Sequence, residues 1–196
     1  MLRFWIVACC LVVVGGGVAA LEEGTPAPPR DPGARMRVQH EALAALARLD
    51  GRWRGTATVT DPTGAKHTVT QTERVGAMLD GTVRVIEGRG YAADGSLSFN
   101  ALAIMSYDLE EDALRMRSYA MGRQGDYDVE VTENGFSWEI PAGPMTIRYK
   151  ATIVDGVWHE VGHRVMEGQD PVAFFEMTLR RLGDSDWPGA GIVGRE

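Results

Sequence analysis

The chain has 196 residues, of which 44% are hydrophobic and 24% are charged, so it suits one globular domain and is too polar for a multi-span membrane protein. Its 27 acidic residues outnumber its 20 basic residues, which gives a formal net charge of −7. Because binding to nucleic-acid phosphates needs a basic stripe, this balance argues against a nucleic-acid partner.

The first twenty residues have the features of a secretory signal peptide. A basic start at Arg3 precedes an apolar stretch over 4–14, and small residues ending at Ala20 offer a cleavage site. We therefore predict a signal peptide over 1–20 and export to the periplasm or the extracellular space. Two alternatives stay open: an uncleaved segment that associates the domain with the membrane, or a lipoprotein cleavage at Cys9.

A linker, a helix and a tail flank the main part of the domain. Residues 21–35 are polar and rich in proline, which predicts a disordered linker. Apolar residues then recur at helical spacing up to Asp50-Gly51, which predicts one amphipathic helix that covers another element. Its apolar stripe consists of Val38, Ala42, Ala45, Leu46 and Leu49. Residues 183–196 show no period, so we predict a flexible tail there.

From residue 52 onward the apolar pattern alternates with a period of two, as in β-strands. Turn signals such as Asp80-Gly81 and Asn134-Gly135 separate the runs. The predicted strands are 52–60, 66–78, 82–91, 97–107, 114–121, 126–132, 136–140, 145–153, 157–166 and 172–181. Because closing such a meander removes its exposed edges, we predict an all-β fold. It is an antiparallel up-and-down, lipocalin-like barrel of about ten strands over 36–182, capped by the N-terminal helix.

The alternation also predicts which side chains point into the barrel. Trp53 faces inward in the first strand, and Phe175, Met177 and Leu179 face inward in the last. The interior residues that we expect to bind a ligand are Gln71, Glu73, Phe136, Trp138, Ile147, Tyr149, His159 and His163. We expect a small hydrophobic or amphipathic molecule, with its apolar body on the aromatic side chains and its polar end held by the glutamine, glutamate and histidines.

Two motifs resemble a known family. Leu49-Asp50-Gly51-Arg52-Trp53-Arg54-Gly55 follows the helix, and Phe174-Phe175-Glu176-Met177-Thr178-Leu179-Arg180-Arg181 closes the chain. Together they resemble a bacterial domain-of-unknown-function family in the lipocalin-like (calycin) group, which implies a β-barrel with an internal pocket. Nitrobindins are more distantly similar and carry an iron-ligating histidine on their closing strand. Residues 172–181 contain no histidine, so we expect no haem and no other cofactor.

His159-Glu160-Val161-Gly162-His163 spells the His-Glu-x-x-His signature of zinc peptidases. That chemistry requires a helix, whereas two histidines four residues apart on a strand are roughly 13 Å apart, too far to share one zinc ion. The β-branched composition of this run favours a strand, so we expect no metal site and no catalytic residues. A zinc metallohydrolase is the first alternative to a binding protein, and a non-catalytic envelope interaction module is the second.

Overall fold

A computed structural model describes residues 27–189, so the predicted signal peptide lies outside the described part of the chain. One α-helix, α1 (Pro32–Leu43), continues as a 3-10 helix over Ala44–Leu49 and is followed by ten strands. The strands are β1 (Gly51–Thr60), β2 (Lys66–Met78), β3 (Val83–Tyr91), β4 (Leu97–Asp108), β5 (Ala113–Ala120), β6 (Arg123–Thr132), β7 (Gly135–Ala142), β8 (Met145–Val154), β9 (Val157–Met166) and β10 (Val172–Gly183). Within residues 27–189, no helix has the length and apolarity needed to cross a membrane.

The ten strands form a closed antiparallel barrel. Each strand pairs with its neighbours in sequence, and β1 also pairs with β10, where Ala57 lies opposite Met177. The hairpin turns suit this meander: Asp155 and Gly156 have φ angles of 51° and 70°, and this left-handed geometry matches the twist of the flanking strands. The predicted all-β, up-and-down barrel of about ten strands with one N-terminal helix is confirmed.

The helical segment closes one end of the barrel, which we call the helix end. Leu43, Leu46 and Leu49 are buried at three-residue spacing, because the helix tightens from α to 3-10 geometry after Leu43. Ala45, which the predicted α-helical stripe includes, is therefore exposed. The indole N–H of Trp53 donates a hydrogen bond to the Leu49 carbonyl at 2.8 Å and fixes the helical segment over the barrel.

Arg84 on β3 fastens the helical segment to the wall. The residue is 5% exposed, and its guanidinium donates hydrogen bonds to both carboxylate oxygens of Asp50 at 2.6 and 2.9 Å. A third bond runs to the Leu43 carbonyl at 2.8 Å. This paired, bidentate contact satisfies a buried charge and a free carbonyl at the end of α1.

Two boundaries differ from the simplest interpretation of the sequence. The helix α1 begins inside the predicted linker, because the Asp31 carboxylate caps it by accepting from the Ala34 amide at 2.7 Å. At the other terminus, residues 184–189 lie along the outer face of β2. Asp186 is 2.6 Å from Arg74 in an ion pair, and the Arg74 guanidinium lies 4.2 Å from the centre of the Trp187 ring. Residues 184–189, the described part of the predicted tail, therefore contact the barrel wall.

Candidate functional site

The inner wall of the barrel is densely packed at the helix end and more accessible at the opposite end, which we call the open end. Trp53, Met177 and Leu179 point inward and are buried, as predicted, whereas the inward-facing Phe175 is half-buried. Two side chains on the inner face near the open end, Val59 and Phe99, are exposed. Any ligand that reaches the interior therefore meets this half of the wall first.

The wall parts between β6 and β7 toward the open end. The two strands pair only from Thr132 opposite Gly135 to Val129 opposite Trp138. Beyond that point residues 123–128 pair with β5 and residues 139–142 pair with β8, and the described barrel has no ladder between the two segments. We call this unpaired stretch the β6–β7 seam.

Five aromatic side chains, the aromatic cluster, gather on the inner wall beside the β6–β7 seam. Trp138 stacks on Tyr149 with ring centres 4.5 Å apart and 11° between the planes. The Tyr127 ring centre lies 5.3 Å from that of Trp138 across the seam. Phe174 and Phe175 both lie edge-on to Tyr149, at 6.1 and 5.7 Å. Two consecutive residues reach the same ring because the β9–β10 register shifts between Ala173 and Phe175.

Two carboxyl groups point into the barrel and are almost fully buried. Glu73 on β2 is 9% exposed and accepts a hydrogen bond from the Gln71 side-chain amide at 2.7 Å. Glu160 on β9 is 8% exposed and accepts one from the Trp158 indole at 3.2 Å. Burial raises the pKa of Glu73 from 4.5 to about 8 and that of Glu160 from 4.5 to about 7. The charge on Glu160 raises the pKa of Glu73 further, so the two carboxyl groups share one interior.

Interior glycines make room for these long side chains. Gly88 lies directly opposite Glu73, and a methyl group on Gly88 would stand 2.7 Å from the Glu73 carboxylate. Gly162 lies opposite Tyr149, and a methyl group there would stand 2.8 Å from the Tyr149 ring. The carboxyl group and the phenol therefore lie flat along the neighbouring strand. Glycine is needed at these two positions because a side chain of the neighbouring strand lies against its backbone, and not because of turn geometry.

The structure places six of the eight predicted site residues on the inner wall. Trp138 and Tyr149 belong to the aromatic cluster, and Ile147 is half-buried beside them on β8. Gln71 and Glu73 on β2 are buried. Phe136 is buried deeper, with its ring centre 6.3 Å from that of Trp158. The remaining two, His159 and His163, do not join them.

The prediction that His159 and His163 point inward is wrong. On β9 the buried residues are Trp158, Glu160 and Gly162, so the alternate positions face outward. The His159 side chain is 42% exposed, and its Nε2 lies 3.0 Å from the Glu176 carboxylate on the outer wall. Both faces of β9 carry apolar residues, so alternation alone does not fix its phase. Burial of the large Trp158 indole determines which face of β9 points inward.

The geometry also bears on the zinc-peptidase signature. The motif lies on the extended strand β9, as its composition predicted, and not on the helix that zinc coordination by both histidines requires. Within residues 27–189, no three His, Cys, Asp or Glu side chains come together as metal ligands. The structure therefore offers no support for a metallohydrolase.

Sequence reasoning missed several residues of this site, among them Phe174 of the aromatic cluster. Tyr127 lies across the β6–β7 seam, and Glu160 and Arg164 follow from the corrected phase of β9. The Arg164 guanidinium lies 4.5 Å from the centre of the Phe174 ring and 3.4 Å from the Thr60 carbonyl. The sequence does contain a signal for Glu160 and Arg164. Both lie an even number of residues from Trp158 on the same strand, so all three side chains face the same side.

No protein-family model matches the chain, and no curated protein matches it with significant sequence similarity. Solved structures do resemble it in fold. One is the crystal structure of Rv2717c from M. tuberculosis, with a TM-score of 0.54 and 15% sequence identity. The match covers 71% of this chain and 96% of that chain. At this identity the likeness supports the barrel fold alone, and the resemblance to the lipocalin-like group and to nitrobindins stays a prediction.

Proposed function

We propose that the barrel is a binding protein for a small amphipathic molecule held in its interior. The observation that carries this proposal is the aromatic cluster beside the β6–β7 seam, with polar side chains deeper in the same interior. Binding sites for small molecules combine an apolar, aromatic lining with a few polar groups, and this interior has both. The barrel fold that the chain shares with the solved structure described above is compatible with such a role.

The aromatic cluster would bind the apolar body of the ligand. The half-buried rings of Trp138, Tyr149 and Phe175 already contact one another, so a ligand finds a preformed surface and orders few side chains on binding. The β6–β7 seam lies next to these rings, and a ligand would enter the interior there, where the two strands are not paired. The polar end would then reach Gln71 and Glu73 or Glu160.

We also propose that the protein acts outside the cytoplasm, in the periplasm or the extracellular space. Support comes from the signal-like sequence of residues 1–20 alone. If that segment is not cleaved, it would hold the barrel at a membrane. Sequencing the N-terminus of the protein purified from its own host distinguishes the two, because cleavage leaves Leu21 as the first residue.

A fluorescence titration with Nile red, a neutral amphipathic dye, tests the proposed binding. We expect saturable binding that weakens about tenfold or more in Trp138→Leu and in Tyr149→Leu, because each variant removes a large aromatic contact surface. The matched control is His163→Ala on the outer wall, which we expect to bind as the wild type does. Circular dichroism and thermal unfolding establish that each variant is folded. Absence of saturable binding to the wild-type protein would contradict the proposal. So would folded Trp138→Leu and Tyr149→Leu variants that bind Nile red as tightly as the wild type does.

A further inference from the structure

The buried carboxyl groups of Glu73 and Glu160 have no basic partner in the described chain. Each has one hydrogen bond from a neutral donor, and neither forms an ion pair with any residue in 27–189. The basic side chains on the inner wall are engaged elsewhere. Arg84 binds Asp50 and the Leu43 carbonyl at the helix end, and Arg164 lies over the Phe174 ring. Ionising two buried carboxyl groups without a cation costs free energy, so a positively charged partner would stabilise their carboxylate forms.

We propose that the ligand of this barrel is a primary amine with an apolar body, and that its ammonium group binds between Glu73 and Glu160. This inference rests on the proposed function and names the chemical class of the ligand. Each carboxyl group has one oxygen without a hydrogen-bond donor in the described chain, and an ammonium group supplies three donors together with the missing positive charge.

The aromatic cluster fits the same ligand class. A cation is attracted to the faces of tryptophan and tyrosine rings, and Trp138 and Tyr149 lie on the path from the β6–β7 seam to Glu160. Tyr149 lies opposite Gly162, and Glu160 is two residues closer to the helix end on the same face of β9. An amine passing the stacked rings therefore reaches the first carboxyl group within about 7–8 Å, the diagonal spacing of an antiparallel pair.

At neutral pH, binding of an ammonium ion is coupled to the release of protons from the two carboxyl groups. The raised pKa values leave Glu73 largely protonated and Glu160 partly protonated without ligand. When an ammonium ion binds, it favours the carboxylate form, and the displaced proton leaves to solvent. The charges of Glu160 and Glu87 raise the pKa of Glu73. Glu160 also raises the pKa of Tyr149, and the charge of Arg164 lowers it. An anionic ligand, by contrast, would oppose the ionisation of both carboxyl groups.

Isothermal titration calorimetry with matched pairs of probes tests the inference. The pairs are 2-phenylethylamine with 2-phenylethanol, tryptamine with tryptophol, and octylamine with octanol, which differ only in the ammonium group. We expect at least one amine to bind about tenfold or more tighter than its alcohol. That preference should disappear in Glu73→Gln and in Glu160→Gln, which keep the side-chain shape and one hydrogen-bond acceptor. Glu130→Gln, on the exposed outer face of β6, is the charge-matched control and should keep it.

The outcomes separate this inference from the proposed function. Equal affinities within every pair, or no binding of any amine while Nile red still binds, would overturn the amine assignment and leave the binding function standing. A preference that persists in both folded glutamine variants would also overturn it, because the charge would then come from elsewhere. If neither Nile red nor any of the six probes binds, the binding function fails and the amine assignment fails with it.

Discussion

The ionisation of the Glu73 carboxyl group depends strongly on the fold. Desolvation by burial raises its pKa from 4.5 to about 8, and the negative charges of Glu160 and Glu87 act in the same direction. The hydrogen bond from Gln71 opposes the shift. Such groups are found where a protein interior is arranged for chemistry or for binding, because structure alone would favour an apolar side chain.

Glu73 therefore predicts a loss of stability as the pH rises. The folded state binds its proton more tightly than the unfolded chain, so the stabilising contribution is complete below pH 4.5 and is lost as the pH rises through about 8. At about 1.4 kcal/mol per pKa unit, the effect is on the order of 4 kcal/mol. Urea unfolding at pH 5 and at pH 8.5 measures it. The decrease in the free energy of unfolding should be much smaller in Glu73→Gln than in the wild type.

The outer-wall variant Glu130→Gln provides the comparison for this measurement. It removes one carboxylate of the same kind from an exposed position, so its pH profile should run parallel to that of the wild type. If the pH profile of Glu73→Gln also runs parallel to that of the wild type, the Glu73 carboxyl group is solvated in the folded protein. That result would remove the electrostatic basis of the candidate site.

At the scale of elements, β9 determines which side chains the site contains. Gly162 on this strand admits the Tyr149 ring, and a methyl group there would also stand 3.0 Å from the Phe175 side chain. The two contacts come from opposite sides, from β8 and from β10. Neither ring has room to withdraw without disturbing the aromatic cluster.

We predict that Gly162→Ala destabilises the protein by about 1–3 kcal/mol, the range for inserting a methyl group into a packed region. The same change should weaken Nile red binding, because the Tyr149 ring has to leave its stack with Trp138. Urea unfolding and the dye titration measure the two effects. Val161→Ala, one residue away on the outer face, should cost less than about 1 kcal/mol and leave the dye affinity unchanged. If Gly162→Ala has the wild-type free energy of unfolding and the wild-type Nile red affinity, the Tyr149 ring does not need glycine at position 162.

Element positions could be predicted from this sequence because turn signals and alternation act locally. Asp155-Gly156 sets a hairpin on its own, and the parity of Trp53 follows from its immediate neighbours. The phase of β9 was harder, because Val157, Val161 and Val165 offer an apolar face that competes with Trp158 and Gly162. The barrel as a whole resolves that competition, since the indole packs edge-on against Trp53 from another strand. For the same reason, the grouping of Glu73 with Glu160 was invisible in the sequence.

At the scale of the whole molecule, packing density changes along the barrel axis. The buried leucines of the helical segment, with Trp53 and Trp158, fill the helix end. Toward the open end, the inner side chains are half-buried and β6 and β7 separate. The molecule thus combines a buried, well-packed helix end with a more accessible open end.

Hydrogen exchange should follow this gradient. Backbone amides near the helix end, as at the start of β1 and the end of β2, should exchange only on global unfolding. Amides of residues 123–128 and 139–142 should exchange faster, because local opening at the seam breaks few contacts. Exchange followed by NMR resolves this residue by residue. Uniform protection along every strand would indicate that the two ends are equally packed and that the seam is closed.

Closure of the ring by β1 and β10 places both chain termini of the barrel at one pole. The chain enters β1 and leaves β10 at the helix end, so the opposite pole is formed by hairpins only. If the protein were attached to a solid support through a tag at either terminus, its open end would point away from the support. Immobilised in that way, the protein presents its interior to a flowing solution without obstruction from its own attachment.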